Sequence, residues 1–478
     1  MKKFCLLLAS PRFPHHFPRG ILEMAGFLEK NGCPTALLPL GYHLGGIDLS
    51  QGLSPEQDAL VEGLLRDALK ETGASVVGIS NSFSPDYPVC VKVLELCKRI
   101  DGRLVTVIGG PHVTFQDAEA LLSPFVDVVV RGEGEWSMFE LLCALKKGSD
   151  LAAIAGITLR LDGRIVRNPD RELGDLSEIP PIDFDLLPFN LVHTAQIYGI
   201  STRGCAYRCR YCVESAFWRK KRNYPVKRLV DEMEVLDRRF GNKVLGFFES
   251  MLDADSTQLF QLCDEIVSRG MRLAEQFVFH VRPDSVTQER IAAVRRAGMN
   301  WASMGVESAS PRVLKMMNRR NLTRDLIIES CRILRAQGVH VHTYWIVGHP
   351  GDTREESEDS FAFLRYLIEN ELCQTAEAMI FQPYPGTCFF DDPQKYGVEI
   401  LEPDWNRWRR FDSRPVSQLS DFSADDIHAA WRRMDSYLHA WKSLSRLSSI
   451  AGDGSVFASG KVTVQEGAAV CDRDLGPA

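Results

Sequence analysis

Three cysteines fall within the short segment RGCAYRCRYCVES: Cys205, Cys209 and Cys212. Thiolates at this spacing have three ordinary uses. A tetrahedral zinc site wants four ligands, and no fourth Cys or His stands nearby in the sequence. A thiol–disulfide relay wants two cysteines, as C-x-x-C. A four-iron cubane usually takes four thiolates, so three leave one iron open to a substrate or cosubstrate. Two further stretches carry chemistry-bearing types. His15 and His16 sit in a Pro-rich loop, SPRFPHHFPRG, either as metal ligands or as a solvent-facing pair. Two glycine-rich turns, Gly109-Gly110-Pro111-His112 and Gly132-Glu133-Gly134-Glu135, each follow an apolar run. The absence of a Cβ there lets backbone approach a bulky ligand closely.

The surrounding elements must position these groups. From residue 3 to about 145, short apolar runs (FCLLLA, TALLPL, SVVGIS, LVTVIGG, VDVVV) alternate with helical patterns. One helix is expected from near Arg19, others over PEQDALVEGLLRDALKE, VCVKVLELCKRI, AEALLS and SMFELLCALKK. Continuous apolar strands alternating with amphipathic helices predict a doubly wound parallel sheet, whose ligands bind beyond the carboxyl ends of the strands. No G-x-G-x-x-G follows the first strand, which argues against a nicotinamide cofactor. A hairpin is expected over AGITLRLDGRIVRNPD, turning at Asp162-Gly163, and LGDLSEIPPIDFDLLPFN reads as a linker packed between domains.

The chain has 478 residues, 45% hydrophobic and 25% charged, with a net charge of −7. That length predicts about three domains. The acidic balance argues against nucleic acid held by bulk electrostatics, and RKKR at 219–222 reads as a local solvated face. No apolar run reaches the ~20 residues of a membrane span. MKKFCLLLAS, followed by PRFPHHFPRG, reads as a first buried strand rather than a signal peptide. A cytoplasmic setting with reduced thiols follows. Of the 13 cysteines, Cys97, Cys143 and Cys263 lie in apolar helical patterns as small core residues.

VIGGPH, followed by VDVVVRGEGEWSMFELL, resembles the cobalamin-binding domain found ahead of radical SAM domains, over about residues 1–145. The resemblance implies cobalamin contacts at His16, Ser82, Gly109, Gly110, Pro111, His112, Gly132, Glu133, Gly134 and Glu135. The D-x-H-x-x-G ligand motif of that superfamily is absent. GYHLGG (Gly41 to Gly46) has the His and a Gly but no Asp, and follows the second strand. The lower axial position of cobalt therefore lacks a histidine from that motif, and axial ligation tunes methyl release.

C-x-x-x-C-x-x-C with Tyr211 before the third Cys is similar to the radical SAM signature. The resemblance implies that Cys205, Cys209 and Cys212 hold a [4Fe–4S] cluster, that S-adenosylmethionine (SAM) chelates the open iron, and that one electron cleaves it to methionine and a 5′-deoxyadenosyl radical. It also implies a partial (β/α) barrel whose strand ends meet SAM. Strands are expected at KVLGFFES, EQFVFHVRPD, MNWASMGVES, VHVHTYWIVGHPGDT and AMIFQPYPGT. The SAM contacts so implied are Tyr211, Glu249, Arg282, Glu307, Ser308, Gly348, Pro350 and Gly351. Where the family commonly has aspartates, this chain has Glu249 and Asp253.

The chain thus resembles the cobalamin-dependent (class B) radical SAM family, with a cobalamin-binding domain at 1–145, a hairpin and linker at 146–197, a radical SAM domain at 198–395, a small helical region at 396–446 and a loose tail at 447–478. Trp405, Trp408, Trp431 and Trp441 fall in the helical region, as packing against the barrel or as a lid over the substrate; Ser423 with Asp426 marks a helix start. The implied reaction methylates an unactivated carbon of a small-molecule, lipid or peptide substrate. Cyclisation or rearrangement without methyl transfer is the alternative; a methylthiotransferase and a cobalamin sensor or carrier are further readings. An electron donor such as flavodoxin or ferredoxin is expected, with no nucleic-acid partner. The sequence names no catalytic acid or base.

Overall fold

The computed structural model describes residues 4–9, 17–44, 52–241, 244–247, 256–408 and 414–451. The N-terminal sheet contains β1 (Cys5–Ala9), β2 (Thr35–Pro39), β3 (Val76–Ser80), β4 (Val105–Gly109), β5 (Val128–Val130), β6 (Ile157–Leu161) and β7 (Arg164–Arg167) in the order β2-β1-β3-β4-β5-β6-β7. The first five strands pair in parallel; β6 and β7 add antiparallel. The order 2-1-3-4-5 reverses direction between β1 and β3, and an open sheet of this kind binds its ligand at that switch. β1, β3 and β5 are almost wholly buried, because helices cover both faces.

Each expected helix is present, AEALLS only as one turn, Asp117–Ala120. Asp162 and Gly163 take φ of 49° and 75°, the left-handed pair that a two-residue hairpin turn requires. The hairpin does not stand apart as a connector: it extends the first sheet. The Pro-rich stretch after it buries Ile182, Phe184 and Leu187 against the second domain's core.

A two-stranded ribbon, β8 (Thr202–Arg203) with β9 (Arg222–Asn223), flanks the cysteine loop. Then β10 (Val278–Val281), β11 (Trp301–Glu307), β12 (His340–Val347) and β13 (Thr375–Ile380) form a parallel sheet in chain order. Parallel bridges Gly199–Phe247 and Gly246–Val278 extend it toward β8. The result is an open, partial barrel. KVLGFFES contributes only these bridges among its described residues. Along β12 the side chains alternate strictly between buried and half-buried: Val341, Trp345 and Val347 face the helices, and His342 and Tyr344 the concave side.

A small antiparallel pair, β14 (Val398–Ile400) and β15 (Ser417–Leu419), precedes the final helix, Ala424–Ala451. That helix continues past Leu447, where a loose tail was expected. Ser423 opens it, with Asp426 N–H donating to Ser423 Oγ at 3.2 Å. It lies along β13, and Trp431 Nε1 donates to the Ala378 carbonyl at 2.9 Å. A bare sheet edge is thereby covered. Cys97 and Cys263 are fully buried, as expected; Cys143 is only half-buried. No described helix is long and apolar enough to cross a membrane.

Candidate functional site

The cysteine loop leaves the carboxyl end of β8. Gly204, at φ 82°, has no room for a Cβ, which would stand 2.6 Å from the Lys220 carbonyl oxygen. Cys205, Cys209 and Cys212 are free and half-buried, and Cys212 N–H donates to the Cys209 carbonyl at 3.2 Å. Burial pushes the Cys205 thiol up and the Cys212 thiol up to about 12. Among the described residues no three Cys, His, Asp or Glu side chains converge on a single-ion position. A zinc ion needs such a point, whereas the thiolates of a cubane each hold a different iron. Three free cysteines on one short loop, with the Arg282 guanidinium beside Cys209 Sγ, fit the thiolate donors of such a cluster.

Two buried groups brace this loop. Arg282, at the end of β10, places Nη1 3.5 Å from Cys209 Sγ and its guanidinium 3.8 Å over the Tyr207 ring, with Asp284 chelating its other side at 2.9 and 3.0 Å. Tyr211 donates its hydroxyl to Glu307 Oε1 at 2.9 Å, and Arg319 Nη1 reaches both Glu307 Oε1 (2.8 Å) and the Tyr211 oxygen (2.9 Å). This triangle ties the loop to the end of β11.

Beyond β12, His349 is fully buried against Tyr211, Phe381 and Phe389. Its Nδ1–H donates to the Pro350 carbonyl at 2.8 Å, and Nε2 has no partner. Burial holds its pKa down at about 3, so the ring is neutral. Asp352 accepts from the Gly348 and Thr353 amides at 2.9 and 3.1 Å, and burial raises its pKa to about 7.

The N-terminal sheet brings its own strand ends to the same place. Gly110, at φ 117°, approaches Asn81 so closely that a Cβ would lie 2.1 Å from the Asn81 oxygen. Asn81 is fully buried with Oδ1 unpaired, and His112 is buried with Nε2 unpaired. His112 Nδ1 lies 3.0 Å from Ser84 Oγ, and the ring packs on Tyr87 and Trp405. Burial pushes its pKa down to about 3. Unsatisfied buried polar atoms at a tight glycine turn fit a ligand seated on this end of the sheet. The helix Pro111–Phe115 touches the helix Val213–Phe217 that follows Cys212, and Gly386, after β13, closes on the Phe115 ring.

Several expected contacts fall elsewhere. Glu133 and Glu135 do not point to a free ligand surface: both are buried on Arg203, and Glu133 also on Arg222. Ser308 Oγ is occupied by Ser360 and the Ser310 amide, at 3.1 Å each. Gly348 is small because Ile427 stands where a Cβ would go, 2.7 Å away. Gly351 leaves ordinary contact distance to Met316. Ser82 is exposed beside Asn81; Gly132, Gly134 and Pro111 shape the turns. His15, His16, Glu249 and Asp253 lie outside the described residues. Sequence reading missed Arg319, Asn81 and the cations that answer Glu133 and Glu135. Two acidic residues beside an apolar strand need buried counter-ions, and that was the available signal.

The chain matches the B12 binding domain over residues 6–142 and the Radical SAM superfamily over residues 200–364. It is 28% identical over 411 residues to an uncharacterized methyltransferase of Pyrococcus horikoshii, covering 82% of this chain and 86% of that protein. It is 26% identical over 414 residues to the anaerobic magnesium-protoporphyrin IX monomethyl ester cyclase of Rubrivivax gelatinosus, covering 81% and 70%. The structure of the radical S-adenosylmethionine methyltransferase TsrM from Kitasatospora setae, solved with cobalamin and a [4Fe-4S] cluster, superposes with a TM-score of 0.72 at 17% identity over 91% of each chain. A sheet domain with a glycine-lined ligand end, set against a partial barrel carrying three cysteines, defines a two-module radical enzyme. The chain carries both of these modules, a B12 binding domain and a Radical SAM domain, the pairing that the cobalamin-dependent radical SAM resemblance implied.

Proposed function

We propose that this protein methylates an unactivated carbon of a small organic substrate held between the barrel mouth and the N-terminal sheet. The observation that supports the reading is the packing of the helix after Gly110 against the helix after Cys212, which brings the glycine-turn and cysteine-loop segments side by side. When bound, the cluster supplies the electron that breaks SAM to methionine and a 5′-deoxyadenosyl radical, and cobalamin carries the methyl group that replaces the abstracted hydrogen.

The chain's own residues supply position and dryness. Cys205, Cys209 and Cys212 hold the cluster, losing their thiol protons as iron binds. Arg282 and the Tyr211–Glu307–Arg319 triangle fix the loop. His349, Phe381 and Phe389 keep water from its far side. Gly109, Gly110 and His112 seat the corrin, with Asn81 beside them. The electron enters from a separate reductant such as flavodoxin or ferredoxin.

Incubating anaerobically reconstituted protein with SAM, cobalamin and a reductant tests this by mass analysis of the SAM products. S-adenosylhomocysteine together with 5′-deoxyadenosine supports methyl transfer. The similarity to a cyclase favours one other reading, in which 5′-deoxyadenosine appears without S-adenosylhomocysteine.

A further inference from the structure

The two glycine-rich motifs explain each other. Arg203, two residues before Cys205, is buried and reaches across the domain boundary into three carboxylates: Glu23 Oε2 at 2.7 Å, Glu133 Oε2 at 3.3 Å and Glu135 Oε1 at 2.5 Å. Its guanidinium is also flanked by the Trp218 and Tyr224 rings, at 5.4 and 5.7 Å. Glu23 belongs to the helix Arg19–Lys30, Glu133 to the turn after β5, and Glu135 opens the helix Glu135–Lys147; all three are first-domain residues. On the barrel side, Tyr224 Oη donates to Glu23 Oε2 at 2.8 Å and Arg228 Nη2 to Glu23 Oε1 at 3.1 Å, while Arg222 repeats the contact to Glu133.

A buried guanidinium shared among three carboxylates has one satisfactory position, because any displacement leaves a desolvated charge unpaired. From that fixed point to Cys205 there is only Gly204, itself pressed against the Lys220 carbonyl. We infer that Arg203 is a positioning residue for the cysteine loop and that its position is set from the other domain, by Glu23, Glu133 and Glu135. The loop takes the geometry that receives a cluster when the N-terminal sheet is docked. The inference rests on the radical SAM reading of the loop.

Hydrogen exchange on the full chain, without added cofactors, reads this directly. Glu135→Gln lies 68 residues from Arg203 and in the other domain, yet it should speed amide exchange over residues 201–206 by about tenfold, the loss of local stability that one weakened buried contact gives. Arg203→Lys should do the same. The double variant should exchange no faster than the faster single one, since both break one unit. As a control for general loosening, Lys98→Met removes a half-buried lysine bonded to the Leu104 carbonyl and Asp127 at the amino ends of β4 and β5, the opposite end of the first sheet. It should leave 201–206 unchanged.

The reconstituted protein gives the second readout. In Arg203→Lys and Glu135→Gln the SAM-induced change in the cluster EPR spectrum should weaken at unchanged iron content and unchanged circular dichroism. Unaltered exchange in Glu135→Gln, additive effects in the double variant, or an equal response to Lys98→Met would each overturn the inference. Wild-type protein that takes up no cluster would instead overturn the radical SAM reading, whatever the exchange data say.

Discussion

Glu307 holds a backbone conformation that glutamate avoids, φ 68°, at a cost of about 1–3 kcal/mol. What keeps it there is its carboxylate, caught between Arg319 and Tyr211. The resemblance pointed to Glu307 at the end of MNWASMGVES, but Arg319 was invisible, because nothing in a linear pattern says which arginine folds back on which acid. Tyr211 was legible through the cysteine motif, although its role is to lock the loop as much as to meet a ligand. Glu307→Gln keeps the size and removes the charge, leaving Arg319 buried without its anion. Stability should fall by about 3–5 kcal/mol, measured by urea unfolding of the cofactor-free protein. Equal midpoints for variant and wild type would contradict the triangle's role. Ser308 shows the opposite case: its motif neighbour was informative, but its own hydroxyl serves the turn into the next helix.

At the scale of elements, periodicity located nearly every strand and helix of the first domain, since each buries one face or both. It could not reveal that the hairpin joins the first sheet, because pairing partners are set by tertiary packing. Nor could it say where the four C-terminal tryptophans go. Trp431 covers the free edge of β13, whereas Trp405 crosses to the first domain, its Nε1 donating to Glu119 at 2.9 Å and its ring 4.6 Å from His112. The C-terminal region is thus a bridge between domains as well as a cover for the barrel. Trp405→Ala should open His112 to water, and its pKa should rise from about 3 toward the ordinary 6.5, followed by NMR titration of selectively labelled histidine. A pKa that stays low would mean that Tyr87 and Ser84 alone enclose the ring. Trp431→Phe keeps the packing and loses one hydrogen bond, an effect of about 1 kcal/mol on thermal unfolding.

The whole molecule is held across its domain boundary by charge. Burial alone would raise the Glu23 carboxyl, but Arg19, Arg203 and Arg228 hold it down at about 2. The unfolded chain, with an ordinary glutamate near 4.3, binds the proton first. Stability from this site is therefore complete above about pH 4.3 and drains away as the pH falls toward 2. The neutral buried rings of His112 and His349 act in the same direction from about pH 6.5 downward. Glu23→Gln should lower stability at neutral pH and flatten its decline below pH 4.3, seen in denaturant midpoints across that range; a parallel decline in both proteins would remove Glu23 from the account. The proposed centre is the three cysteines at the barrel mouth, holding a cluster with one corner left for SAM. The most direct test is the EPR spectrum of the anaerobically reconstituted, reduced protein before and after SAM is added. A cubane signal that changes on SAM addition, and that Cys205→Ala, Cys209→Ala and Cys212→Ala each abolish, is the predicted result; a signal indifferent to SAM, or one that survives loss of any of these cysteines, would contradict it.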